Sequence, residues 1–337
     1  MARRITSLQV AERAGVSQSA VSRVFTEGAS ASPATAAKVR RAASELGYRP
    51  NAMARAMITG KSRMIGLVVA YLDNQFYPEA VERFSNALQE RGYHVLIFMA
   101  SPTVGDGVQA VMEEILDHQV DGIVLASVSM SSSLSTHCAA HGIPVVLFNR
   151  EQDDPRMSSV TTDNHTGGRT IAAHFAGLGH RRIGYIAGHE QASTQRDREA
   201  GFRAGLADAG LSLAARAVGG FVYADAREAA LAMCAGADRP DALFVCNDHM
   251  AFAVMDALRY DLGLRVPHDI AVAGFDDVPI AAWPAYDLTT YRQPINRMVA
   301  RTVDLLMQRI DDPAHGADRT KLTGALIVRR STTRAPA

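Results

Sequence analysis

The chain has 337 residues, with 35 Lys and Arg balanced by 35 Asp and Glu. That length exceeds one compact unit and suits two or three. No run of about 18 apolar residues appears, which speaks against a membrane-spanning helix. The three cysteines, Cys138, Cys234 and Cys246, are odd in number and far apart, which argues against a disulfide framework or a zinc site. They read as small core residues of a protein in a reducing cytoplasm, and Met1 to Arg4 lack the apolar stretch of a signal peptide.

The charge is unevenly spread. Residues 1–63 carry 11 Lys and Arg against 3 Asp and Glu, leaving 24 against 32 for the rest. A basic head on an acidic body points the head toward a polyanion. Ser7 to Ala14 has apolar residues at helical spacing, with Ser7 placed to cap it and Gly15 to stop it. Ser17 caps a second helix, Gln18 to Phe25, and the pair across a tight glycine turn is a helix-turn-helix pattern. Ser32-Pro33 opens a third helix that Gly47 ends. Val10, Ala11, Ala14, Val16, Val21, Val24, Val39, Ala42 and Leu46 supply a small core. The second helix opens with Ser17, Gln18 and Ser19, followed by Ser22 and Arg23. Short hydrogen-bonding side chains there suit base edges in a major groove, and Arg23 can reach guanine or phosphate.

Asn51 can cap a two-turn helix that Gly60 closes, too short to be stable unsupported. From Arg63 the pattern changes. Met64 to Ala70 is a continuous apolar run, as a strand buried on both faces requires. A helix from Glu79 to Arg91, a strand from Tyr93 to Phe98, a helix from Val111 to His118, and strands at 121–125 and 143–148 follow. The alternation restarts with a helix at 166–177, a strand at 183–187, a helix at 198–209 and strands at 241–246 and 270–275. Two consecutive α/β halves predict two lobes with a cleft between them. Ligands of such sheets bind beyond the carboxyl ends of strands, which nominates Tyr71 to Tyr77, Asn149, Asn247, Asp248, Asp276 and Asp277.

The run Val10-Ala-Glu-Arg-Ala-Gly-Val-Ser-Gln-Ser-Ala-Val-Ser-Arg-Val24 resembles the signature of the LacI/GalR family of repressors. Asp163-Asn164, Gly179-His-Arg-Arg-Ile183, Asn247-Asp248, Gly274-Phe-Asp-Asp277, Leu288-Thr-Thr290 and Gln293-Pro294 are similar to that family's landmarks, so the resemblance spans nearly the whole chain. It implies an all-α helix-turn-helix headpiece over 1–49, a hinge over 50–62, and an effector-binding and dimerisation domain over 63–337. The last would have a type I periplasmic-binding-protein-like α/β fold with two Rossmann-like lobes, 63–162 with 292–329, and 163–291. The resemblance implies DNA contacts from Thr6, Ser17, Gln18, Ser19, Ser22, Arg23 and Thr26 in the head, with Gln18 and Ser19 reading bases. In the hinge it implies Asn51, Ala54 and Met57, with Met57 as the minor-groove wedge. Thr26 stands where relatives often carry Asn, and Met57 where they carry Leu. In the cleft, Arg198 and Asp276 would clamp the effector, with Asn149 and Asn247 as polar partners and Phe76, Tyr77 and Trp283 as walls.

The expected partners are palindromic double-stranded operator DNA, a small-molecule effector such as a sugar or sugar derivative, and a second copy of the chain. No cofactor, metal or membrane is expected. A solute-binding protein of a transport system would suit the sensing half alone, though the basic head opposes it. An enzyme finds no support in Gly-rich phosphate loops, a His-Glu-x-x-His pair or a Gly-x-Ser-x-Gly elbow.

Overall fold

The structure is a computed structural model. It describes residues 5–25, 30–49, 61–100, 106–128, 132–154 and 156–333, without the side chains of 106–110 and 132–134. Two compact units divide at Arg63 and Met64.

The amino-terminal unit holds α1 (Ser7–Ala14), α2 (Gln18–Phe25) and α3 (Pro33–Leu46). The cap of α1 is Thr6, one residue before the expected Ser7. Its hydroxyl accepts from the Gln9 amide while Gln9 Oε1 accepts from the Thr6 amide, a reciprocal capping box. Gly15 ends α1 at φ 65°, a left-handed turn that glycine adopts without a Cβ penalty, and its N–H reaches the carbonyls of Ala11 and Glu12. Val10, Ala11, Val21, Val39, Ala42 and Ala43 are buried together, flanked by Ala14, Val16, Val24 and Leu46.

The second unit contains two six-stranded sheets. The first orders its strands β11-β5-β4-β3-β1-β2 and the second β12-β10-β9-β8-β6-β7. In the first sheet β1 (Met64–Val69) sits between β2 (His94–Met99) and β3 (Gly122–Ala126), all parallel, with Leu67 opposite Ile97 and Val124. β4 (Val145–Phe148), β5 (Ser158–Thr162) and β11 (Arg319–Leu322) continue it. Its helices are α4 (Phe76–Gln89), α5 (Asp106–Asp117), α6 (Ser132–Ala140) and α11 (Ile295–Asp311). In the second sheet β6 (Ile183–Ala187) lies between β7 (Leu213–Val218) and β8 (Ala242–Val245). β9 (Ala271–Asp276), β10 (Thr289–Arg292) and an antiparallel β12 (Ala325–Ile327) complete it. Its helices are α7 (Asn164–Gly177), α8 (Ser193–Asp208), α9 (Tyr223–Cys234) and α10 (Asp248–Asp256).

The chain passes between the sheets three times: after Thr162, after Arg292 and after Leu322. The return of the carboxyl-terminal segment to the first lobe therefore ends at Leu322, earlier than 329. Pairing with β10 draws β12 back to the second sheet, and Ser331 anchors the chain beyond β12 by accepting from Thr289 N and donating to Val272 O. All three cysteines are buried and unpaired, and no described helix is long and apolar enough to cross a membrane.

Candidate functional site

Strand carboxyl ends from both sheets open onto one cleft, lined by Tyr71, Asn74, Tyr77, Ser127, Asn149, Thr194, Arg198, Phe221, Asn247 and Asp276. Asn149 and Asp276 take positive φ, 55° and 131°, which turns each chain sharply where a strand ends.

Arg198 forms the floor. Only 2 % of it is exposed. Its Nε donates to Asn164 Oδ1 at 2.8 Å, one terminal nitrogen donates to the Cys246 carbonyl at 2.6 Å, and the other stands 3.7 Å from Asp276 Oδ1. The guanidinium lies 3.7 Å from the centroid of the Phe275 ring. Two glycines permit this. A Cβ on Gly201 would collide with the His165 backbone carbonyl, and one on Gly168 with the carbonyl of Arg198 itself. The bare backbones let α7 and α8 approach until Asn164 meets Arg198.

Asp276 is gripped from several sides. Gln293 Nε2 donates to its Oδ1 at 2.7 Å, the Gln293 N–H donates to its carbonyl at 3.2 Å, and the Asn74 side chain reaches the carboxylate from the first lobe. Burial pushes the carboxyl up to about 6, with Arg198, Gln293 and Asn74 pulling it back. Beneath it, Asp248 is wholly buried, accepting from the Thr290 hydroxyl at 2.6 Å and the Val278 amide at 3.1 Å. Burial first, and the nearby Asp276 charge second, push it up to about 8. Asp277 pairs with Arg292 and Arg329 instead of facing the cleft.

Across the cleft, Tyr77 Oη and Ser127 Oγ share a short hydrogen bond, and Asn149 Nδ2 donates to Tyr77 Oη at 3.3 Å. Among the described residues, Asn149 Oδ1 and Arg150 Nε are buried without a hydrogen-bond partner. Arg150 is 7 % exposed, and one terminal nitrogen donates to the Ser127 carbonyl at 3.0 Å. Burial lowers its pKa, as expected of a guanidinium without a carboxylate partner. Tyr71 and Phe221 meet edge-on from opposite lobes at 6.4 Å.

Of the expected effector residues, Tyr77, Asn149, Arg198, Asn247 and Asp276 line the cleft. Asn247 also caps α10, accepting from the Met250 amide at 3.0 Å, which commits its Oδ1. Phe76 is not a wall. It is 2 % exposed and stacks on Phe148 in the core, because α4 starts at Phe76 and turns that ring inward. Trp283 is not a wall either: it ends the 3₁₀ turn Pro279–Ala282 with 55 % of its surface exposed, outside the cleft lining. Asn74 falls inside the nominated run Tyr71 to Tyr77, whereas Ser127 and Thr194 line the cleft without having been singled out from the sequence.

On the headpiece, Ser17, Gln18, Ser19, Ser22 and Arg23 are all exposed along α2, opposite buried Val21. Ser17 caps α2 by accepting from the Ala20 amide, and Gln18 Nε2 donates to Ser7 Oγ at 2.9 Å. Thr6 is exposed beside them. Thr26, Asn51, Ala54 and Met57 lie outside the described residues.

A helix-turn-helix with a bare polar recognition face, followed by a two-lobed sensor with a polar cleft, defines a ligand-responsive DNA-binding regulator. The profile described as "Bacterial regulatory proteins, lacI family" matches residues 8–51, and that of the "Periplasmic binding protein-like domain" matches 172–332. The HTH-type transcriptional repressor PurR of Photobacterium profundum is 30 % identical over 97 % of this chain and 98 % of its own length. The ribose operon repressor of Escherichia coli is 32 % identical over 97 % and 99 %. The Lac repressor dimer bound to operator and the anti-inducer ONPF superposes with a TM-score of 0.88 at 26 % identity, covering 98 % of this chain and 100 % of that one. The chain belongs to the lacI family of bacterial regulatory proteins: it is a DNA-binding transcription regulator with an effector-binding carboxyl-terminal domain.

Proposed function

We propose that this regulator is a homodimeric repressor of a palindromic operator, and that its effector is a small polyol. Residues 1–49 would bind DNA, 50–62 form the hinge, and 63–337 sense and dimerise. The observation that carries the effector class is the hydroxyl-matched lining of the cleft: Asn149 Oδ1, buried and unpartnered among the described residues, beside the Tyr77 and Ser127 hydroxyls and in the same cleft as the Asp276 carboxylate. A buried polar atom left unpaired costs about 1–3 kcal/mol, so a ligand that donates to Asn149 Oδ1 gains affinity. Vicinal hydroxyls donate and accept from neighbouring atoms. A carboxylate only accepts: it would leave Asn149 Oδ1 unmatched and face the Asp276 carboxylate.

Among relatives, the structural neighbour solved as a CelR–cellobiose complex, 30 % identical with a TM-score of 0.72, carries a sugar. The ribose operon repressor is named for one. Dimerisation is supported by β2, an edge strand on which Ile97 and Met99 are half exposed, a liability in a monomer.

A thermal-shift screen of monosaccharides, polyols, sugar acids and nucleobases tests the reading, because a ligand that binds only the native state must stabilise it. A neutral polyol should raise the melting temperature of the parent and not of Asn149→Leu. Stabilisation by sugar acids or nucleobases alone would overturn the polyol assignment.

A further inference from the structure

We propose that Gln293 is the positioning residue that locks Asp276 to two of the three interlobe crossings, so that the direction of the effector-facing carboxylate and the angle between the lobes are set together. The proposal rests on the reading that Asp276 faces the effector.

The three crossings are tied pairwise. The Asp163 amide donates to the Leu322 carbonyl at 2.9 Å, joining the first to the third. The Gly324 amide donates to Tyr291 Oη at 3.1 Å, joining the third to the second. The first and second are joined through side chains: Thr162 Oγ1 donates to Gln293 Oε1 at 2.6 Å. The same amide continues past the crossings, because Gln293 Nε2 donates to Asp276 Oδ1 at 2.7 Å and the Gln293 N–H to the Asp276 carbonyl. Thr162, Gln293 and Asp276 are each at most 6 % exposed, so water does not compete for these bonds.

The chemistry needs an amide. One end must accept from a hydroxyl and the other donate to a carboxylate, and glutamine offers both on one planar group. The grip acts on both the side chain and the main chain of Asp276, whose φ of 131° is unfavourable for a residue with a Cβ. If the lobes rotate about their crossings, Thr162 moves relative to Gln293 and the carboxylate is released or re-aimed. A ligand hydroxyl bound to Asp276 biases the same equilibrium from the other end. The charged groups around this amide are Asp276, with Arg198 behind it, and Glu79, Arg83, Asp277, Arg292 and Arg297, which line the adjoining hollow.

The test uses the full chain without any ligand, so a mistaken effector assignment leaves its outcome untouched. Amide hydrogen–deuterium exchange is followed by mass spectrometry in parent, Gln293→Leu, Gln293→Glu and Thr162→Val. Losing these bonds should speed exchange about tenfold in peptides covering 160–166, 274–280 and 290–298 of Gln293→Leu, with the sheet cores unchanged. Thr162→Val should loosen 160–166 and 290–298 and spare 274–280. Gln293→Glu sets two carboxyls face to face. It should be loose at about pH 8 and recover most of its protection at about pH 5.5, where the new carboxyl holds a proton to donate, once intrinsic exchange is corrected for. A side chain that only fills space would show none of this pH rescue. Parent-like exchange in Gln293→Leu, loosening spread evenly over both lobes, or a Gln293→Glu variant equally loose at both pH values would each overturn the proposal.

Discussion

Replacing Arg198 by Ala should disturb folding before it disturbs sensing. The guanidinium serves two buried acceptors, Asn164 Oδ1 and the Cys246 carbonyl, and stands beside a third, Asp276. Stranding the first two costs about 2 kcal/mol each, roughly 4 kcal/mol against a typical domain stability of about 5–15 kcal/mol. Asp276 adds a pH dependence whose sign is set by its environment. Its carboxyl is raised by burial and pulled back by Arg198, so without Arg198 it rises further. An acid with a raised folded pKa costs nothing below its unfolded value of about 4, and the cost grows as pH climbs through the folded pKa. The penalty of Arg198→Ala should therefore be smallest near pH 5, where Asp276 is largely protonated in both proteins. It should widen toward pH 8 by about 1.4 kcal/mol per unit of additional shift. Urea unfolding followed by far-UV circular dichroism at four pH values measures this. A penalty below about 1 kcal/mol at pH 7, or one flat from pH 5 to 8, would refute the reasoning.

Asp248→Asn should raise stability at pH 8 and leave it nearly unchanged at pH 4, because the buried carboxyl pushed up to about 8 loses stability as pH rises from about 4 to that value. Thermal melts of both proteins across that range check it. Gly201→Ala should cost about 1–3 kcal/mol by forcing α8 off the His165 carbonyl, and should weaken ligand affinity more than a surface Gly→Ala control, since Arg198 rides on α8. Calorimetric titration with whichever ligand stabilises the parent would read both variants. Gln18→Ala should cost about 1–3 kcal/mol at the base pair it reads and change the preferred half-site, while substitution of a phosphate-binding arginine should weaken all sequences alike. Selection from a randomised half-site library distinguishes the two.

The fold was legible wherever burial and residue type agreed. β1, β3, β4, β6, β8 and β9 are apolar runs buried on both faces, and glycine stops such as Gly15 and Gly47 act through their positive φ. β5 was not legible: Ser158-Ser-Val-Thr-Thr162 is polar by composition yet fully buried, because the hydroxyls of Thr162 and Ser158 serve the second interlobe crossing and α11 in place of an apolar layer. Asp276 could be placed at a strand end, and Arg198 only through the family resemblance. What held them could not, since Asn164, Gln293 and Gly168 lie far away in sequence, and Gly201, three residues from Arg198, shows its role only once α7 packs against it. Phe76 misled because a residue near a strand end can equally begin a helix, and α4 does so. Trp283 misled for a simpler reason: an aromatic beside a cleft motif reads the same whether its ring turns inward or, as here, to solvent. Arg150 went unread because nothing in a single sequence separates a buried unpaired arginine from a surface one.

The most direct test of the account is operator affinity with and without ligand. Fluorescence anisotropy of the full-length protein on its selected palindrome, titrated with a stabilising polyol, should show operator affinity change by about 5-fold or more in the parent. In Asn149→Leu the unliganded affinity should persist and the response disappear. A parent whose operator affinity is indifferent to every ligand that stabilises it, or an Asn149→Leu variant that responds as the parent does, would contradict the claim that this cleft governs DNA binding.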